Sequence, residues 1–213
     1  MTNQDLSIRN DARVFLFCNK CLTYDSNGSI VNKLHLNAFY DVLNRIYTDV
    51  LVQTAADYNE SRACATMIDR SKLENVILVA DRGYENYNIF AHAIEKGWKF
   101  AIRIKDKNSN GIASWLNFPP NDEFDIDITQ IFSRENTKTT KNADYKWMPV
   151  NQVFDYLPRK SDKTYELSFE MAHYADIGII LHREKYIRAT RSTSSFDLIS
   201  LLVASIIGCS VMP

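Results

Sequence analysis

An acidic residue that directly follows a run of apolar residues is the clearest candidate for chemistry in this sequence. Asp81 comes after the five apolar residues at 76–80 and is followed by Arg82, Gly83 and Tyr84. A buried strand ends in this way when it delivers a carboxylate to the carboxyl edge of a sheet. Open α/β sheets carry their chemistry at that edge. Asp81 is therefore the first candidate site residue.

Two kinds of chemistry use a carboxylate at a strand end. In a receiver-type signalling domain it is phosphorylated, and a Lys follows the next parallel strand, where this chain has Lys105. That interpretation also needs an acidic pair at the end of an early strand, and no strand predicted before Asp81 ends that way. In a two-metal site, acids from separate strands and a helix hold two Mg²⁺ ions about 4 Å apart for an in-line phosphoryl transfer. Both interpretations remain open on Asp81 alone.

The segment that positions Asp81 is a strand, a helix and a second strand. Asn86 can cap the helix, whose apolar residues fall on one face, and Gly97 can end it in the left-handed conformation. The second strand, at 100–105, follows at once. The pattern predicts a right-handed crossover that makes the two strands parallel.

The elements before this segment are a predicted hairpin and a helix. Residues 34–43 alternate with period two, 44–47 can turn the chain, and 48–53 can form the partner strand. Asp57 and Glu60 resemble a capping box for the helix that follows. We therefore expect a mixed sheet with helices packed on it. The period-two strand has one apolar face, which consists of Leu34, Leu36, Ala38, Tyr40 and Val42.

The flanking regions are less regular. A short strand is predicted at 13–18, and the polar stretch at 107–165 reads as a β-rich insertion with strand candidates at 124–132 and 164–169. The mostly apolar stretch at 196–212 contains an acid and is short for a membrane span. We expect it to form a C-terminal helix that packs on the domain.

Composition favours one globular domain. The chain has 213 residues, of which 46% are hydrophobic and 24% charged, and its net charge is −1. That balance gives no global attraction to nucleic acid or membrane. We expect a cytoplasmic protein without a signal peptide, and four cysteines that are free thiols. Cys18 and Cys21 have the spacing of half a zinc site, but nothing completes it.

Four blocks of the sequence stand in a recognisable order, and they are Leu34-His35-Leu36-Asn37-Ala38-Phe39-Tyr40-Asp41, Tyr47-Thr48-Asp49-Val50, Ala80-Asp81-Arg82-Gly83-Tyr84-Glu85 and Asn88-Ile89-Phe90-Ala91-His92. Together they resemble the insertion-sequence transposases of the DDE type, in the IS-four branch that carries a β-rich insertion. The similarity runs in order from about residue 4 to about residue 170.

The resemblance implies a fold, a reaction and a set of site residues. The fold is ribonuclease-H-like, an α/β mixed sheet flanked by helices with a β-rich insertion after the second catalytic Asp. The reaction is DNA transposition by two-metal phosphoryl transfer on transposon ends, with Mg²⁺ as cofactor and Asp81 as the second acid of the catalytic trio and a metal ligand. DNA contacts are assigned to Arg82, Tyr84, Arg103 and Lys105, with further salt-sensitive binding expected from Lys99 and the basic residues after Arg134.

The sequence departs from the family pattern at the other two acids. The position of the first falls on Thr2, with Asp5 matching a neighbouring acid, and the nearest approximation to the third is Glu166. We therefore expect residues 1–170 to be a partial catalytic domain, with the insertion at 107–165, and 171–213 to be a divergent tail. The expected protein is a truncated fragment without activity of its own. Alternatives are the receiver-type domain and a non-catalytic partner or inhibitor of an intact transposase; a homo-oligomer is also considered, and no membrane association is expected.

Overall fold

The chain forms two compact units with their boundary between Lys72 and Leu73. The computed structural model describes residues 13–14, 22–24, 26–28, 30–32, 34–42, 44–54, 57–106, 108–115, 124–136, 145–174 and 178–182. Predictions that fall outside these residues concern Thr2, Asp5, Cys18, Cys21 and the C-terminal helix at 196–212. None of the helices in the described ranges has the length and hydropathy of a membrane-spanning segment.

The described part of the first unit contains antiparallel strands and a helix. The strands found there are β1 (Arg13–Val14), β2 (Leu22–Tyr24), β3 (Ile30–Asn32), β4 (Leu34–Asp41) and β5 (Ile46–Thr54), and the helix is α1 (Glu60–Arg70). The strands β1, β4 and β5 form one sheet in that order, and β2 pairs with β3. The predicted hairpin is therefore confirmed as β4 and β5. Its turn comes earlier than predicted, because Arg45 adopts a positive φ of 57° and β5 has already begun at Ile46.

The covered face of this hairpin is not its apolar face. Asn37 is buried, with 7% of its surface exposed, whereas Tyr40 is 48% and Tyr47 69% exposed. The helix α1 contacts both β4 and β5. His35 on the same face as Asn37 lies 3.2 Å from the Glu60 carboxylate at the start of that helix. Tyr40 and Val42 of the predicted apolar face are exposed, whereas Leu34 at its other end is buried.

Two polar contacts fix the ends of α1. Asn59, and not Asp57 as the sequence suggested, is the N-cap, because its side chain accepts a hydrogen bond from the Arg62 amide at 2.9 Å. At the other end Arg70 makes a two-point ion pair with Asp49 of β5, with nitrogen–oxygen distances of 2.8 and 2.6 Å. The Arg70 guanidinium holds the pKa of Asp49 below its usual range.

Among the described residues, the second unit contains a six-stranded mixed sheet. Its elements are β6 (Ile77–Ala80), α2 (Tyr87–Glu95), β7 (Lys99–Arg103), β8 (Phe124–Ser133), β9 (Tyr145–Trp147), β10 (Thr164–Tyr174) and β11 (Gly178–His182). The strand order is β6-β7-β11-β10-β8-β9. The end pairs β6–β7 and β8–β9 are parallel, and the other three pairs are antiparallel.

The predicted strand–helix–strand segment is confirmed. The strands β6 and β7 are parallel, with Ala80 opposite Ile102. Asn86 caps α2 by accepting a hydrogen bond from the Asn88 amide at 2.8 Å, and Gly97 ends the turn after the helix with a φ of +74°. The local signals of the sequence therefore lie where these elements begin and end.

Two features of the sheets differ from the expected single sheet. The hairpin β4–β5 and the parallel pair β6–β7 belong to different sheets, because no strand among the described residues pairs with both β4 and β6. The boundary expected after residue 170 falls inside β10, and β11 inserts between β7 and β10. Residues after 170 thus take part in the sheet.

The core of the second unit lies between α2 and the sheet. Phe90 of α2 stacks on Phe100 of β7 with ring centroids 5.4 Å apart. Tyr87 of α2 packs against Phe132 of β8 at 4.6 Å, and Phe132 contacts Phe154 at 5.6 Å. These aromatic contacts join α2 and the segment that contains Phe154 to the sheet, so the helix that follows Asp81 has little freedom to move.

Candidate functional site

Asp81 lies directly after β6, at the carboxyl end of the parallel pair. It caps a single 3-10 turn at Arg82–Tyr84, and its Oδ1 accepts a hydrogen bond from the Gly83 amide at 2.9 Å. The side chain is exposed, and Oδ2 has no hydrogen-bond partner within the described ranges. One carboxylate oxygen thus fixes the orientation of the group, and the other faces solvent.

Cationic side chains follow both parallel strands at this edge. Arg82 comes directly after Asp81, and Arg103 is the last residue of β7, opposite the level at which β6 ends. Lys105 lies two residues further on and is exposed, as is Arg82, whereas Arg103 is partly buried. Tyr84 ends the 3-10 turn. The sheet therefore brings all four predicted DNA contacts to the edge that carries Asp81.

The structure does not bring Glu166 near Asp81. Ala80, Ile102, Leu181 and Met171 form one row across four neighbouring strands. Glu166 precedes Met171 by five residues on β10, on the side of that row away from Asp81. Strand spacings of about 4.8 Å and a rise of about 3.3 Å per residue put the two residues roughly 25 Å apart. Lys99 likewise lies at the opposite end of β7 from Arg103.

Glu85 makes a contact that the sequence did not indicate. Its Oε2 accepts a hydrogen bond from the Lys105 amide at 2.9 Å, and its Oε1 accepts one from the Ile112 amide. Glu85 follows the turn after β6, and both amides belong to the segment after β7. One carboxylate thus connects the two loops at the edge that carries Asp81.

A second polar cluster lies on α2. The Asp155 carboxylate accepts a hydrogen bond from the Asn88 amide group at 2.8 Å and lies 2.9 Å from His92 Nε2. The other ring nitrogen of His92 is 3.2 Å from the Tyr156 hydroxyl. The spacing of Asn88 and His92, four residues apart on one helix face, is a signal that could have revealed this cluster. It ties α2 to the segment before β10.

Arg134 also binds the segment before β10, through the main chain of residues 148–157. Its guanidinium is buried and donates hydrogen bonds to main-chain carbonyls. Burial, together with the charge of Arg159, lowers the pKa of Arg134. No sequence pattern marks such a residue, because the carbonyls that it binds are distant along the chain. The acceptors are the carbonyl oxygens of Met148, Pro149, Gln152 and Leu157, at 2.5–3.3 Å.

The described residues offer little to a metal ion. No three of their His, Cys, Asp and Glu side chains form a group that could hold one. Asp81 supplies a single exposed carboxylate, which fits one ligand position for a hard cation such as Mg²⁺. One carboxylate alone does not make a metal site.

The fold and the position of Asp81 define an α/β domain whose candidate site lies at the carboxyl edge of its parallel strands. The model of the transposase DDE domain family matches residues 11–174. This match spans most of the chain, so the chain belongs to the transposase DDE domain family, whose function is DNA transposition and whose members use a divalent metal ion. Searches of curated proteins and of solved structures found no match.

Family membership decides against the receiver-type interpretation. The pairing of β7 agrees with that decision, since its second neighbour β11 is antiparallel, whereas a doubly wound receiver sheet continues with parallel strands. Asp81 and Glu166 both lie within the matched residues, and Thr2 and Asp5 lie before them.

Proposed function

We propose that this chain is a catalytic-domain segment of an insertion-sequence transposase of the IS-four branch, with a ribonuclease-H-like arrangement of its elements. The observation that carries the proposal is Asp81, exposed at the end of β6 with Arg82 and Arg103 at the same edge. In this role Asp81 is the second acid of the trio. Asp81 would supply one carboxylate ligand to a divalent ion, and that ion would supply Lewis-acid chemistry for phosphoryl transfer.

The residues at this edge have separate tasks in the proposed function. The Gly83 amide holds Asp81 Oδ1, so that Oδ2 keeps a fixed direction. Arg82, Arg103 and Lys105 bind phosphate groups of the DNA backbone, and Tyr84 contacts the adjacent sugar or base. These contacts position DNA against Asp81 without selecting a sequence.

We further propose that the chain alone does not cut or join DNA. The position of the first acid holds Thr2, and Glu166 lies at the other end of the sheet from Asp81. Of the two acids of the trio proposed among the described residues, only Asp81 lies at this edge of the sheet. Binding of DNA is expected to persist without cleavage.

The test measures binding of a mixed-sequence DNA duplex by the full chain across a range of salt concentrations. Affinity should fall steeply with salt, and Arg82→Ala and Arg103→Ala should each reduce the slope of log K against log salt by about one. Lys96→Ala, at the far end of α2, is the matched control and should leave the slope unchanged. A chain that shows no salt-dependent binding would contradict the proposal.

Activity is tested separately with the same duplex in the presence of Mg²⁺ or Mn²⁺. No nicking is expected from the wild-type chain. Nicking that disappears in Asp81→Ala would show that Asp81 works with other acids of the chain and that the chain is active. The binding result and the cleavage result therefore decide two different parts of the proposal.

A further inference from the structure

The carboxylate of Glu85 is fully engaged with main-chain donors. One oxygen accepts from the Lys105 amide at 2.9 Å and the other from the Ile112 amide, which are 20 and 27 residues away along the chain. Hydrogen bonds from amides to an ionised carboxylate are stronger than those to neutral acceptors. Glu85 thus fixes both ends of the segment from Lys105 to Ile112.

Gly111 provides the space in which this carboxylate lies. A Cβ atom at position 111 would come within 2.6 Å of Glu85 Oε1 and 2.8 Å of the Lys105 Cβ. Neither distance is tolerated without movement of the neighbour. The glycine is required here for close approach, since its φ is not in the positive region. The contact therefore has two features, a carboxylate that accepts two hydrogen bonds and a glycine that leaves space for it.

The segment held in this way carries a cation to the site. Ile104 and Ile112 are buried on either side, whereas Lys105 between them is exposed. Without Glu85 the Lys105 amide would lose this hydrogen bond, and the burial of Ile104 would remain to hold the main chain next to it. Lys105 would then occupy a wider range of positions at the edge that carries Asp81. Binding a phosphate would cost more conformational entropy, because a more mobile lysine has to be ordered.

We propose that Glu85 is a positioning residue, which holds Lys105 beside Asp81 for a DNA phosphate, and that Gly111 exists to admit its carboxylate. The role of Lys105 in phosphate binding rests on the proposed DNA-binding function, whereas the contact of Glu85 with the two amides does not. It assigns Glu85, the acid nearest to Asp81 in sequence after the turn, to the main chain and not to a metal ion.

The structural part is tested by amide hydrogen exchange followed by NMR in the full chain without DNA. Glu85→Gln keeps the shape of the side chain but turns an NH₂ group toward one of the two amides. Exchange of the Lys105 and Ile112 amides should accelerate at least tenfold, with no change in α1. Glu74→Gln, which alters an exposed acid with no hydrogen bond to the described residues, is the control. Unchanged exchange at both amides would overturn the inference.

Gly111→Ala supplies a second route to the same answer if Glu85→Gln does not fold. The added methyl group should displace the carboxylate and accelerate exchange of the same two amides. Its effect on the unfolding midpoint should shrink in the Glu85→Ala background, where the clash with Oε1 is gone. An equal loss in both backgrounds would show that Gly111 does not serve Glu85.

The functional part is tested by a double-mutant cycle on DNA binding. Lys105→Ala should reduce the salt slope by about one in the wild-type chain and by much less in the Glu85→Gln chain. A merely structural role of Glu85 would leave the effect of Lys105→Ala the same in both backgrounds, and that result would overturn the positioning role. If the wild-type chain binds no DNA, the proposed function and with it the positioning of Lys105 for phosphate fail, while the exchange data still decide the contact.

Discussion

The guanidinium of Arg134 donates two hydrogen bonds to the carbonyl oxygen of Leu157, from Nε at 3.3 Å and from Nη2 at 3.1 Å. Its remaining nitrogen, Nη1, reaches three further carbonyls in the same segment. A single side chain thus replaces the regular hydrogen bonding that this irregular segment lacks.

We expect Arg134→Lys to lower the free energy of unfolding by about 2 kcal/mol, because a lysine cannot reach all of these carbonyls and leaves some of them buried without donors. Urea denaturation followed by circular dichroism measures the change. The matched control is Arg159→Lys at an exposed position. Equal losses in the two variants would mean that the carbonyl contacts of Arg134 contribute nothing specific.

Lys146 should make the stability of the second unit depend on alkaline pH. Burial lowers the pKa of Lys146 to about 8 from 10.5, and its Nζ lies 5.6 Å from the centre of the Tyr87 ring. Between these two pH values the unfolded chain holds a proton that the folded chain has lost, so stability rises with pH there. Below about pH 8 the cost of the buried charge is present in full.

The corresponding variant is Lys146→Met. It should be more stable than the wild type at neutral pH, and this advantage should vanish as the pH approaches 10.5. Urea midpoints measured at several pH values give the comparison. A variant that gains nothing at neutral pH would show that the contact with Tyr87 outweighs the cost of burial.

Cys64 should not react with thiol reagents while the protein is folded. The side chain is buried in α1, and burial raises the pKa of its thiol to about 12. Both steric access and the thiolate fraction are therefore low at mildly alkaline pH. Alkylation followed by peptide mass spectrometry should find Cys64 labelled only after denaturant is added. Labelling at the same rate in both conditions would contradict its burial.

The ion pair between Arg70 and Asp49 should contribute to stability only above acidic pH. Because the pKa of Asp49 is lowered from 3.8 in the folded protein, its contribution is present above that value and is lost as the pH falls through the lowered pKa. Asp49→Asn should therefore have a lower urea midpoint than the wild type at about pH 6, and the difference should shrink toward about pH 3. A difference that stays constant over this range would exclude the ion pair as its cause.

The parts of the fold that the sequence predicted depend on local signals. Asn86, Gly97 and the apolar run before Asp81 each act within a few residues, and the elements that they define are confirmed. The turn before β5 and the cap of α1 were misplaced by two residues each, because neighbouring polar residues offered nearly equivalent alternatives.

The parts that escaped prediction depend on contacts between distant residues. Glu85 meets the Lys105 and Ile112 amides, and Arg134 meets carbonyls that follow it by more than a dozen residues. The pairing of β11 with β7 joins segments more than 70 residues apart. Periodicity and capping patterns carry no information on such partners, so the basic edge around Asp81 could be predicted and its supports could not.

The exposed apolar face of the β4–β5 hairpin determines how this protein should behave on a column. Val50 and Val52 are 44% and 50% exposed on the same face as Tyr40 and Tyr47. Salts that strengthen the hydrophobic effect should therefore retain the protein on a phenyl resin, and the double substitution Val50→Lys and Val52→Lys should make it elute earlier in the gradient. Retention of the protein on the resin would thus measure how far this face of the hairpin is exposed.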